Sequence, residues 1–115
     1  MGFFDYFRTP EGLVEYTPED FKKAMSEGGH RIIDVRTTAE YKREHIDGVE
    51  LITLGKLKKT LDSLDRNSSY LLVCATGHRS RAAAAAMRRK GFNKIGHLKG
   101  GMSAWNSFYG RKREK

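Results

Sequence analysis

The stretch Tyr70-Leu71-Leu72-Val73-Cys74-Ala75-Thr76-Gly77-His78-Arg79-Ser80 decides how the rest of the chain is read. Its first four residues are nearly continuous in apolar character. That is the pattern of a central parallel strand covered on both faces. From Cys74 to Ser80 the chain leaves the strand's carboxyl end and runs into a helix expected over 79–89. The alanines from Ala82 to Ala86 let that helix pack closely on a sheet, and Gly91 ends it. Ligands of open α/β sheets bind beyond the carboxyl ends of the strands, so this loop is the first place to look for chemistry.

On either side of this stretch the same alternation recurs. Val14 to Tyr16 reads as a first strand, followed by a helix with Thr17 as N-cap, Pro18 at its first position and Asp20 at N3. Phe21, Ala24 and Met25 give that helix an apolar stripe, and Gly28 and Gly29 stop it. Arg31 to Val35 is a second strand, and Thr37 with Glu40 forms a capping box for a short helix. The chain turns at His45 to Gly48, Val49 to Leu54 reads as a short strand or extended segment, and Lys56 to Leu64 reads as a helix. Ile95 to Leu98 is a last strand, and Met102 to Tyr109 a terminal helix. Strands alternating with helices predict an open, five-stranded, mainly parallel sheet with helices on both faces.

The composition narrows the functional classes. At 115 residues and 38% hydrophobic content, the chain suits one domain with a real core. It divides into an extension over 1–12, a domain over 13–109 and a basic tail over 110–115. No apolar run approaches the roughly 20 residues of a membrane span. No leader is read at the start, and Tyr6 stands where a myristoylation motif has Ser or Thr. The expected location is therefore the cytoplasm. The formal charge is +8, concentrated at Arg111, Lys112, Arg113 and Lys115. A basic surface attracts small anions, while no nucleic-acid module is recognisable.

Cys74 is the single cysteine, so neither an intramolecular disulfide nor a multi-thiolate zinc site is open to the chain. A lone cysteine is by default a small buried hydrophobe; its neighbours argue otherwise. It is expected at the mouth of a loop whose backbone amides converge and whose following helix N-terminus adds positive potential. Both effects favour a thiolate. Gly77 lets the loop turn tightly. Arg79 adds a fixed cation, to bind an anionic substrate or to pin the loop. His78 is expected outward at the rim. Four residues separate Cys74 from Arg79. A loop of that size is too tight for a phosphoryl group in line with sulfur, and it matches a single persulfide sulfur carried on Cys74.

With these residues in place, the chain resembles the rhodanese-like sulfurtransferases in their single-domain form, from Tyr16 to Tyr109. Four motifs in order carry the resemblance: Asp34-Val35-Arg36 followed by Glu40 and Tyr41; His45-Ile46 with Gly48; Cys74 with Gly77, Arg79 and Ser80; and Gly100-Gly101 with Trp105. Where the family usually runs Ile-Pro after its His-Ile-x-Gly turn, Val49 to Leu54 holds no proline, and a local change in that connection is expected. The resemblance implies ping-pong sulfur transfer without cofactor or metal. Cys74 takes sulfane sulfur from a small anionic donor such as thiosulfate, or from a persulfide, and passes it to cyanide, a small thiol or a partner protein's thiol. Ala75, Thr76, Gly77, His78, Arg79 and Ser80 form the persulfide cradle. Asp34, Arg36, Glu40 and His45 are read as structural support, with Asp34 bonding local backbone and Arg36 pairing with a carboxylate such as Glu40. Trp105 is expected to pack the last helix on the sheet, and His30 and His97 to lie at the surface or a sheet edge. Two other readings remain at this stage. One is a non-enzymatic sulfur carrier or protein-binding module. The other is an arsenate reductase or phosphatase-like oxyanion enzyme.

Overall fold

The strand β4 (Tyr70–Val73) lies at the middle of a five-stranded sheet in the computed structural model, which describes residues 2–110. The basic positions Arg111, Lys112, Arg113 and Lys115 fall outside the described residues. With β1 (Val14–Tyr16), β2 (Arg31–Asp34), β3 (Glu50–Leu51) and β5 (Ile95–Leu98), the strand order is β1-β5-β4-β2-β3. Every pairing in it is parallel.

Side chains alternate along a strand, so β4 feeds two cores. Leu71 and Val73 pack with Phe21 and Ala24 of α1 (Pro18–Glu27) and Met102 of α5 (Gly101–Tyr109). Tyr70, Leu72 and Cys74 face the other way. They pack with Leu57 of α3 (Leu54–Thr60) and with Ala83, Ala84 and Met87 of α4 (His78–Arg89). Helices therefore cover both faces, as the alternation predicts. Trp105 packs against the α1–α5 side, its ring edge-on to Phe21.

The caps form where the sequence places them. The Thr17 side chain accepts from the Asp20 amide at the start of α1, and Thr37 and Glu40 close a reciprocal capping box on α2 (Thr38–Arg43). The third strand is shorter than expected. It pairs only with Ile33 and Asp34 at the sheet edge. Beyond it, the Ile52 and Leu54 amides still bond the Asp34 and Val35 carbonyls, and the chain then turns into α3 two residues earlier than Lys56.

The N-terminal segment does not stand apart from the domain. A short 3-10 turn over Phe3–Tyr6 lies against α4, where Asp5 forms a two-pronged pair with Arg89. Phe3, Phe4 and Phe7 remain largely exposed, and Phe7 meets the His78 ring. Among the described residues, no helix is long and apolar enough to cross a membrane.

Candidate active site

Cys74 follows the last residue of β4, and the loop after it folds back on the sulfur. Gly77 has φ +98°, a left-handed conformation that a side chain would strain. That turn aims the Gly77 N–H at Cys74 Sγ, 2.9 Å away. It also starts α4 at His78, with the Arg81 amide bonding the Gly77 carbonyl. Ser80, one turn into the helix, places its Oγ 3.4 Å from the sulfur. An amide N–H and a helix N-terminus therefore converge on one sulfur atom, an arrangement that favours negative charge there, while the thiol donates to Ser80 Oγ.

The sulfur lies at the base of the loop rather than at its mouth. Cys74 is fully buried. The side chain packs into the α3–α4 core with Gly77 and Ser80 folded over it, while α5 closes on the backbone behind it. Met102 N–H bonds the Cys74 carbonyl at 2.8 Å and Ser103 N–H bonds the Ala75 carbonyl at 3.0 Å. Gly101 permits this approach: a Cβ there would fall 2.6 Å from the Ala75 carbonyl carbon. The Gly-Gly motif thus clamps the back of the loop.

The other loop residues distribute as follows. Ala75 is half-buried, Gly77 and Ser80 are buried, and Thr76 and His78 are exposed. Thr76 Oγ1 and His78 Nδ1 lie 2.9 Å apart at the rim. Arg79 is half-buried and holds Glu40 through two bonds of 2.7 and 2.9 Å. This pair ties the loop to α2. The Arg79 guanidinium, with help from Thr37, holds the Glu40 carboxyl down to about 2. The same pairing raises Arg79 above its ordinary value. Of the two roles open to Arg79 in the sequence, this geometry matches pinning the loop.

Arg36 does not pair with Glu40. Its guanidinium lies on Asp34, 2.8 Å from Nη2 to Oδ2, and Nη2 also donates to the Glu44 carbonyl at 2.8 Å. Asp34 Oδ1 further accepts from the Arg36 backbone N–H at 3.0 Å. Both side chains are buried beside β4. The Arg36 side chain reaches back to the carboxylate two residues before it and leaves Glu40 to the loop. His45 stacks flat on Tyr41 at 3.8 Å, with its Nδ1 2.7 Å from the Tyr41 carbonyl, a fixture of the turn.

His97 is the residue whose place the sequence reading missed. It is fully buried, neither on the surface nor at an edge. Strand β5 is last in the chain but lies between β1 and β4. His97 sits in register with Leu72, and its Nδ1 lies 2.6 Å from Ser80 Oγ. The period of two from Ile95, a core residue, was the signal that could have placed it inward.

Comparison with known proteins agrees with this geometry. Residues 17–108 match the model of the rhodanese-like domain family. YrkF of Bacillus subtilis, named as a candidate sulfur carrier protein, is 38% identical over 94 residues, covering 81% of this chain and 51% of that one. The chain thus spans about half the length of that relative. The thiosulfate sulfurtransferase GlpE of Pseudomonas fluorescens is 28% identical over 92 residues, covering 80% of this chain and 84% of that one. A crystal structure of a rhodanese-like domain protein from Staphylococcus aureus superimposes with a TM-score of 0.72 at 30% identity. It covers 80% of this chain and 90% of that one.

Proposed function

The chain belongs to the rhodanese-like domain family, and we propose that it moves sulfane sulfur from thiosulfate or a persulfide donor to a thiophilic acceptor through a persulfide on Cys74. The observation that carries this is the Gly77 N–H held 2.9 Å from Cys74 Sγ in a loop of four residues between Cys74 and Arg79.

In the first half-reaction the Cys74 thiolate attacks the outer sulfur of thiosulfate. A bond forms between the two sulfurs, the donor's S–S bond breaks, and its electron pair leaves with sulfite. The product is Cys74–S–S⁻, whose outer sulfur takes the place offered by the loop amides and the start of α4. In the second half-reaction a thiolate or cyanide attacks that outer sulfur, and Cys74 departs as thiolate. The buried position of Cys74 favours a small donor or the extended thiol of a partner. A cytoplasmic setting, where thiols stay reduced, suits a lone nucleophilic cysteine.

A second reading, a carrier that hands its persulfide to one protein, draws on the likeness to YrkF. An oxyanion enzyme is the weaker reading, because the loop is short and Arg79 is already paired. Steady-state kinetics with thiosulfate and cyanide test the proposal. Parallel double-reciprocal lines, abolished by Cys74→Ser, are expected for a ping-pong enzyme. Absence of thiocyanate with both thiosulfate and a low-molecular-weight persulfide overturns the enzymatic reading.

A further inference from the structure

Behind Cys74 a line of side chains runs away from the loop and out to the sheet edge. Cys74 Sγ lies 3.4 Å from Ser80 Oγ, Ser80 Oγ lies 2.6 Å from His97 Nδ1, and His97 Nε2 lies 3.0 Å from Glu15 Oε2. The four residues come from β4's end, α4, β5 and β1. Glu15 and His97 are register partners in the parallel pair β1–β5, and His97 is the register partner of Leu72, two residues before Cys74. The line therefore runs across two paired strands, the end of a third and a helix.

We infer that Ser80, His97 and Glu15 form a proton relay that takes the Cys74 thiol proton when the thiolate forms and returns it when the acceptor has removed the sulfur. This rests on the reading of Cys74 as the sulfur-bearing nucleophile. Ser80 touches the reacting sulfur; His97 and Glu15 act through it as positioning residues.

The hydrogen-bond directions balance in both states. A carboxylate only accepts, so Nε2 carries a proton toward Glu15 and Nδ1 is left to accept. In the resting state Sγ–H donates to Ser80 Oγ, and Oγ–H donates to Nδ1. Moving one proton along each step leaves a thiolate, an intact hydroxyl and an imidazolium facing Glu15. In that state Nδ1–H donates to Oγ, while Oγ–H and the Gly77 N–H point at the sulfur. Ser80 Oγ is also 3.0 Å from the Gly77 carbonyl, which gives its proton a third place during the exchange. No oxidant or reductant is needed.

The charges around His97 set its resting state. Burial pushes its imidazole below the ordinary value, and Glu15 partly opposes this, so the resting ring is neutral and able to accept. The bond from His97 lowers the Glu15 carboxyl, which stays ionised. Arg81 of α4 lies 3.7 Å from Glu15, and Lys99, just past β5, adds a second positive charge that disfavours imidazolium. Glu15 is the carboxylate on the line that opposes them, and it holds the imidazolium when that forms. A buried histidine costs desolvation that an apolar residue would avoid.

The test is alkylation of Cys74 by iodoacetamide between about pH 6 and about pH 10, a range bracketing ordinary His and Cys titration. Intact mass follows the reaction in the native protein, His97→Asn and Glu15→Gln, with urea melts on each. The relay predicts that alkylation near neutral pH slows about tenfold in His97→Asn, equivalent to about one unit in its pH midpoint. Glu15→Gln slows in the same direction, and all three rates converge at high pH, where the thiol ionises unaided. Superimposed profiles, or a uniform slowing at every pH, overturn it. If His97→Asn fails to fold, Glu15→Gln decides alone, since that side chain is partly exposed on the edge strand. The readout needs no sulfur donor, so shifted profiles without thiocyanate formation would retain the relay and reject sulfur transfer.

Discussion

Separating Arg79 from Glu40 is expected to loosen the loop without unmasking a substrate-binding cation. Two charge-assisted bonds of 2.7 and 2.9 Å join them, with side chains 29% and 25% exposed. Exposed ion pairs couple by about 0.2–1 kcal/mol, and breaking fully buried ones costs about 3–5 kcal/mol. A half-buried, two-pronged pair belongs between these, at about 1–2 kcal/mol. The assay is a double-mutant cycle of Arg79→Met and Glu40→Gln, read first by urea unfolding at neutral pH. The Glu40 carboxyl is lowered from 4.5 to about 2. Its contribution is therefore whole above about pH 4.5 and drains away as the pH falls toward about 2. The coupling should follow that window. The same cycle read by turnover should show that either single change lowers kcat/KM, and that the double change is no worse than the poorer single. Coupling within the ordinary additivity error of about 0.3–0.5 kcal/mol would refute the pinning argument. So would a Glu40→Gln variant whose KM for thiosulfate falls, because a freed Arg79 would then be binding the donor.

Two further outcomes follow from the packing. Gly101→Ala places a methyl group against the Cys74 and Ala75 backbone, neither of which can move without shifting the loop. It should cost about 1–3 kcal/mol in urea unfolding, and full native stability would contradict the clamp. Arg36→Met strands the buried Asp34 carboxylate. A loss of about 3–5 kcal/mol is expected, and a loss below about 1 kcal/mol would show that Asp34 finds another partner.

Much of the architecture was legible because local chemistry and global fold agree. The apolar run Tyr70 to Val73, the Thr17 cap and the Thr37–Glu40 box each specify their element without help from afar. The cysteine loop was legible for a similar reason, since strand end, glycine and helix start are contiguous. What the sequence hid depends on which segments meet in space. Glu40 and Arg79 are far apart in the chain, and nothing local shows that Arg36 turns back on Asp34 and leaves Glu40 free for the loop. The burial of Cys74 follows from the loop folding back over a side chain that faces α3 and α4, and the close approach of α5 to its backbone is a packing the Gly100-Gly101 pair permits but does not announce. His97 is hidden because nothing local shows that the last strand in the chain lies inside the sheet. The sheet order puts it inside, and there its alternation with Ile95 turns it toward α4.

Whether Cys74 carries sulfur is read from the intact mass of the protein. Reduced protein is mixed with excess thiosulfate or a low-molecular-weight persulfide, freed of donor, and weighed under non-reducing conditions beside Cys74→Ala. A gain of about 32 Da, the mass of one persulfide sulfur, is predicted in the native protein alone, lost on adding cyanide as thiocyanate appears. No gain from either donor, or an equal gain in Cys74→Ala, would show that Cys74 is not the sulfur carrier.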